Sequence, residues 1–231
     1  MIAASTQDAE SVGPRFTEDG MLTARRKTRE AIEAIAAKVR TGMVEEDAVA
    51  MARSTLVDAG LSLSWHPTRV RFGRNTTKAM KVASEPGVVL GESDIFFLDI
   101  APRYADWEGD GGKSFTVGHN VEHARCARDA ERLFHEARGK WLRSGLTGQQ
   151  LYAFAQQRAR EMGWELNLDL PGHRLSDFPH AAIHTGALAD AAHPPAAMRW
   201  VLEIHLRDRE GRFGAFYEDL LLEDDHYGSD S

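Results

Sequence analysis

The chain has almost no cysteine: a single residue, Cys126, among 231. That excludes an intramolecular disulfide framework and fits a reducing compartment. Long apolar runs are missing too, none approaching the roughly 20 residues needed to span a bilayer. Residues 1–14 have neither the basic start nor the apolar stretch of a secretory signal. Positive charge is in short supply as well. Acids outnumber lysine and arginine by 35 to 28, for a net charge of −7, and no run of five or more basic residues offsets this. Such a balance disfavours nucleic-acid phosphates. The expectation is a soluble, cytoplasmic protein with neither nucleic acid nor membrane as partner. With 42% hydrophobic and 27% charged residues, the chain is an ordinary globular one with a sizeable core.

Residues 1–16 are small and polar without periodicity and are expected to form a loosely ordered tail ahead of a single domain, 17–231. From 17 to about 40 the apolar spacing is helical, and Thr41-Gly42 ends it. A second helix is expected from about 45 to 59, stopped by Gly60. Residues 61–72 read as short extended pieces interrupted at Pro67. Strands follow at 94–100 and about 110–117. Two more helices cover about 121–144 and 148–163, the latter opened by Thr147 and Gln150 as a capping box. The last third is strand-rich, at 164–170, 200–206 and 213–222. Helix pairs separated by antiparallel strands predict an α+β fold, with helix–helix–strand–strand occurring twice.

Two hairpins carry the chemistry. With Glu210-Gly211 as a two-residue turn, residues pair across the last hairpin when their numbers sum to 421, which sets Glu203 opposite Glu218. Both stand among apolar neighbours such as Val201, Leu202, Phe216 and Tyr217. Opposed like charges destabilise a sheet, and a cation between them removes the conflict. A symmetric pairing of the first hairpin likewise sets Asp99 opposite Asp110. The alternative is that these acids are solvated charges at sheet edges. His173, in Leu170-Pro171-Gly172-His173, adds an imidazole directly after a strand. Carboxylates alone suit calcium or magnesium, whereas an added imidazole moves the preference toward transition metals.

At these residues the sequence resembles the creatinase/methionine aminopeptidase superfamily, the M24-type pita-bread metallopeptidases that include aminopeptidase P and prolidase. Leu98-Asp99, Gly109-Asp110, Gly172-His173, Leu202-Glu203 and Tyr217-Glu218-Asp219 match its pattern in order and chemical type. The stretch Asp110-Gly111-Gly112-Lys113-Ser114-Phe115-Thr116-Val117-Gly118 is similar to the strand after its second aspartate, and the likeness covers about 20–224. It implies a pita-bread fold, an antiparallel sheet with two pairs of helices packed outside. It also implies a dinuclear site: Asp99 on the first metal, Asp110 and Glu218 bridging both, His173 and Glu203 completing the second. A metal-bridging hydroxide would then attack a carbonyl carbon. His180 matches the histidine that contacts substrate or the tetrahedral intermediate. Manganese, cobalt, iron and zinc all accept this ligand set.

The departures concern the substrate. The family's Gly-His-Gly-Ile-Gly stretch is replaced by Gly172-His173-Arg174-Leu175-Ser176, and its His-Glu pair by His180-Ala181. Phe216 stands where prolidases and aminopeptidases P usually carry arginine, and is expected to face substrate. No histidine lies between Arg74 and Leu98, where active peptidases have one. The nearest upstream is His66, which takes its place if the 65–67 loop folds over the metals; otherwise it is a turn histidine beside Trp65 and Pro67. Tyr104 and Trp107 either wall the pocket or pack a hairpin tip. The N-terminal domain that prolidases and aminopeptidases P carry is expected to be lacking. The leading reading is a metallohydrolase that cleaves an amide or peptide bond of a small molecule or short peptide. A C–N bond-cleaving enzyme for a creatine-like compound and a non-catalytic binding module are the alternatives. A homodimer is compatible with the sequence but not specified by it.

Overall fold

A computed structural model describes residues 6–62, 66–180 and 184–227; residues 1–5, Trp65 and Ala181 therefore lie outside the described residues. The helices are α1 (Thr6–Ala9), α2 (Glu18–Ala36), α3 (Glu45–Asp58), α4 (Val121–Ser144), α5 (Gly148–Glu161) and α6 (Asp224–Tyr227). The strands are β1 (Arg69–Phe72), β2 (Asp94–Ile100), β3 (Arg103–Tyr104), β4 (Trp107–Glu108), β5 (Gly111–Val117), β6 (Glu165–Leu166), β7 (His173–Arg174), β8 (Trp200–Arg207) and β9 (Gly214–Leu220). The expected α+β architecture is present. Among the described residues no helix is long and apolar enough to cross a membrane.

Local chemistry explains the helix starts. The Thr17 side chain accepts the Gly20 N–H to open α2, and Asn120 accepts the Glu122 and His123 N–H groups at α4. Thr147 and Gln150 form the capping box at α5. The first long helix is shorter than expected, ending at Ala36, because residues 37–43 turn to hydrogen-bond Leu90.

Strands β1-β2-β5-β9-β8-β6 form one sheet in that order, with β7 also on β8. Every pairing is antiparallel. Alternation along the strands separates the two faces. Phe96, Leu98 and Ile100 pack with Ile32, Ile35 and Leu56 of α2 and α3. Leu202, Ile204, Ala215 and Tyr217 pack with Leu133, Phe134, Leu151 and Ala155 of α4 and α5. The helix pairs thus cover one face, and the acids of the hairpins project from the other. Asp219, next to Glu218, points to the helical side, where Arg25 binds it through two contacts of 2.8 Å and Arg29 through one of 3.0 Å.

In the last hairpin Glu203 lies opposite Glu218, as the 421 sum requires, although the turn is longer than two residues. Asp208 N donates to Phe213 O at 3.0 Å, and Gly211 N donates to Asp208 O at 3.0 Å, so 209–212 form the loop. Its centre of symmetry is unchanged, and the register with it. In the first hairpin Asp99 lies opposite Gly112 rather than Asp110. The inserted β3–β4 ladder takes up the connection, moving the register by two and leaving Asp110 just before β5. The strand expected at 164–170 is only β6, because the chain leaves β8 after Asn167 and returns at His173.

Residues 8–16, within the segment expected as a loose tail, bind the 174–200 region. The Glu10 carboxylate accepts from Trp200 Nε1 at 2.8 Å, His193 Nε2 at 3.0 Å and Ala196 N at 3.2 Å. Arg174, 1% exposed, donates to Ala9 O and to Ser11 O. Asp177 accepts the N–H groups of Gly13 at 2.8 Å and Arg15 at 3.0 Å. The polar composition that suggested looseness supplies the partners these buried groups need.

Candidate metal centre

The structure brings Asp99, Asp110, His173, Glu203 and Glu218 together on the helix-free face. Strand β2 delivers Asp99, the residue before β5 delivers Asp110, β7 delivers His173, and β8 and β9 deliver the glutamates. The four acids are each 6% exposed or less. Donor atoms of Asp110, His173 and Glu218 lie within 4.8 Å of one another, as do those of His66, Asp99 and Asp110.

Within this cluster Asp110 Oδ2 is an ion-pair partner of His173 Nε2 at 2.8 Å, which leaves Glu218 Oε1 as the oxygen without a partner. Leaving a buried carboxylate oxygen unpaired costs several kcal/mol, so the donor set fits cations better than it fits the bare chain. The neighbouring atoms are committed elsewhere. Glu203 Oε2 accepts the Gly172 N–H at 2.7 Å. Gly172 adopts φ +67°, and a side chain there would press on Val201 O at 2.6 Å and on the Tyr152 hydroxyl at 2.8 Å.

Electrostatics show the same strain. Burial raises the pKa of Glu218 well above the ordinary value, and Asp110, Asp99 and Glu203 add to the rise. Asp99 and Glu203 are raised for the same reason, burial first and neighbouring carboxylates after it. Burial pushes Asp110 upward too, but His173 and His66 hold it below the usual carboxylate range. Burial opposes charge on both imidazoles, yet the surrounding carboxylates raise His173 to about 10 and His66 to about 9. Without a cation, burial and mutual repulsion favour the protonated forms of Asp99, Glu203 and Glu218.

His66 stands at the centre, its Nε2 3.4 Å from Asp110 Oδ1 and 3.7 Å from Asp99 Oδ1. His180 is buried beside His173, their rings 5.9 Å apart and stacked. Glu108, which the sequence reading passed over, holds it: Oε2 accepts from His180 Nδ1 at 2.7 Å and Oε1 accepts the His180 N–H at 2.9 Å. The available signal was an acid two residues before Asp110 on the same hairpin.

The three aromatics expected at the substrate have the following neighbours. Phe216 is fully buried against Phe97, Leu170 and the His205 ring, two residues before Glu218 on the same face. Trp107 packs with the Met21, Leu175 and Met198 cluster, and the Tyr104 ring lies under Lys27 Nζ at 4.7 Å. The contacts of Trp107 and Tyr104 are thus with packing residues at a hairpin tip, because β3 and β4 turn that tip onto α2.

The sequence profile described as metallopeptidase family M24 matches residues 19–223. No curated protein matches the chain in sequence. Among solved structures, an X-Pro aminopeptidase from Thermotoga maritima is similar at 20% identity and TM-score 0.68, over 90% of this chain and 59% of that one. A prolidase from Pyrococcus horikoshii is similar at 17% and 0.70, over 94% and 62%. This chain therefore spans about three-fifths of their length. A methionine aminopeptidase from Thermotoga maritima is similar at 13% identity and TM-score 0.72, over 93% of this chain and 96% of that one. At these identities the likeness is one of fold.

Proposed function

Because this chain belongs to metallopeptidase family M24 and has its pita-bread fold, we propose that it is a metal-dependent hydrolase cleaving an amide or peptide bond of a small substrate. The observation that carries the reading is the buried oxygen Glu218 Oε1, without a partner inside a ring of acids and imidazoles. The donors suit two divalent cations: Asp99 for one, His173 and Glu203 for the other, Asp110 and Glu218 for both. Mixed oxygen and nitrogen donors favour manganese, cobalt, iron or zinc. Bound there, such cations acidify water and polarise a carbonyl oxygen. The reading takes 17–231 as one catalytic unit, which the continuous sheet from β1 to β6 supports.

The chain's own groups do the rest. Glu108 accepts the Nδ1–H of His180 and fixes the ring, leaving Nε2 for the substrate, where it donates to a carbonyl oxygen only as the imidazolium, which the Glu108 carboxylate would stabilise. The names of the similar structures, X-Pro aminopeptidase, prolidase and methionine aminopeptidase, make short peptides the first class to try. Phe216 offers a packed ring where an arginine would offer charge, so X-Pro dipeptides should be poor substrates of this chain.

Elemental analysis of protein reconstituted with manganese, cobalt or zinc should find about two ions per chain. Metal that binds only the folded form stabilises it by about 2.7 kcal/mol at a hundredfold excess over Kd. Chelation should therefore lower Tm by about 5–10 °C for a chain of this size. No uptake of any of the three metals would overturn the reading. Assay against dipeptides and small amides then defines the bond cleaved.

A further inference from the structure

We propose that His66 is itself a metal ligand, the counterpart of His173 on the cation held by Asp99 and Asp110. The inference rests on the dinuclear reading above and extends it to a sixth side chain.

The hydrogen bonds fix the ring's chemistry. His66 Nδ1 lies 3.1 Å from Pro67 O, and a carbonyl oxygen only accepts, so Nδ1 carries the proton. In the neutral ring Nε2 is then a lone pair. That lone pair faces Asp110 Oδ1 at 3.4 Å and Asp99 Oδ1 at 3.7 Å, two oxygens that also only accept when ionised. A lone pair and two carboxylates converge stably only around a shared proton, on Nε2 or on a carboxyl, or around a cation among all three.

Distance favours the cation. Charge-assisted N–H···O bonds run at about 2.7–2.9 Å; the His66–Asp110 hydrogen bond, at 3.4 Å, is long for one, and Asp99 Oδ1 at 3.7 Å lies beyond its range. Two ligands each about 2.0–2.2 Å from one ion stand roughly 3–3.5 Å apart, close to what is seen.

His173 repeats the ring orientation, at a shorter distance from its carboxylate. Its Nδ1 donates to the carbonyl of the next residue, Arg174 O, at 2.8 Å, and its Nε2 lies 2.8 Å from Asp110 Oδ2. Metal-bound histidines usually donate their other ring N–H in this way, which fixes tautomer and orientation. Asp110 thus has one imidazole at each oxygen. The side chain of His66 is 13% exposed, a low value for a histidine serving only a surface turn. One imidazole per cation would make both subsites discriminate against magnesium and calcium.

The test uses cobalt(II) on the full chain and on His66→Ala and His66→Gln. Ions per chain and visible absorption are read at saturation for the unmodified protein. Two ions are expected per unmodified chain and about one per variant, with a changed cobalt spectrum and an affinity for the lost ion reduced more than about a hundredfold. X-ray absorption of the zinc-loaded unmodified chain needs no variant and should show one imidazole per zinc on average; one per two zincs overturns the assignment. Variants that keep two ions and an unchanged spectrum also overturn it, and leave the dinuclear reading standing. An unmodified chain that binds no cobalt or zinc overturns both.

Discussion

The two hairpins that carry the acids reach the same face by different routes. Strands β8 and β9 are joined by the short loop 209–212, and the register mirrored about its tip sets Glu203 opposite Glu218. Strands β2 and β5 are joined by 101–110 with a second ladder inside, and Asp99 falls opposite Gly112. The displacement is two residues, so Asp99 keeps its side of the sheet; one residue would have turned it into the helical core. Parity, not direct pairing, is what the cluster requires. A long connection is tolerated when its register moves in even steps.

The comparison can be broken most severely by removing one shared acid from each hairpin. Asp110→Asn and Glu218→Gln should each deplete both ions together, and lose several kcal/mol of transition-state stabilisation, about a thousandfold in rate. Glu203→Gln should release one ion only. If Glu218→Gln keeps two ions by elemental analysis, the tight hairpin is not the shared seat.

His180 belongs to neither hairpin and separates donors from the groups beside them. His180→Ala should keep both ions and lose about 10²–10³ in kcat, the usual cost of one oxyanion donor. Loss of metal in that variant would make His180 a ligand instead.

Gly112, opposite Asp99, sharpens the contrast from the side of packing. A side chain there would collide with the Phe216 ring, Cδ1 lying 2.6 Å away, and come within 3.0 Å of Glu218 Oε1. Gly112→Ala should cost about 3 kcal/mol, the upper part of the overpacking range, read from denaturant titration. An unchanged midpoint would show that the two hairpins do not press on each other at this point.

The smallest effects test two hydroxyls that stand in for missing ladder bonds. The β5–β9 pairing stops at Lys113 and Tyr217, after which Ser114 Oγ accepts the Phe216 N–H at 2.7 Å and donates to Phe216 O at 3.0 Å. In the gap between β6 and β7, the Tyr152 hydroxyl serves the Glu203 backbone at 3.2 and 3.3 Å. Ser114→Ala should cost about 2 kcal/mol and Tyr152→Phe, with its longer bonds, about 1 kcal/mol. Equal losses in chemical denaturation would mean that bond length does not rank these two gaps.

Much of this was legible in the chain because it is local. The α5 capping box, the β2 limits and the pairing of Glu203 with Glu218 follow from neighbours within one element or hairpin. The M24 resemblance rested on the same stretches, and the family match covers them. Other features are long-range and left no local trace. The meeting of His66 with Asp99 and Asp110 depends on a loop outside the sheet, 44 residues before Asp110. The tuck of Tyr104 and Trp107 onto α2 depends on how the ten-residue connection 101–110 turns. Phe216 was read as a substrate contact, but its neighbours Phe97 and Leu170 come from other parts of the sequence.

The attachment of residues 8–16 to the 174–200 region bears on the order of folding. Strand β7 is two residues long, and the loop beyond it, which carries His180, has little regular ladder of its own. Besides the Glu108 carboxylate, its anchors are Ala9, Ser11, Gly13 and Arg15, between 162 and 165 residues away in sequence. Contacts of such separation form late, since chain closure must precede them. During synthesis from the N-terminus, residues 8–16 emerge before the sheet and wait for almost all of it before they can dock. The two acid hairpins can assemble early, while Arg174 and Asp177 gain these anchors only when both distant parts of the chain have met.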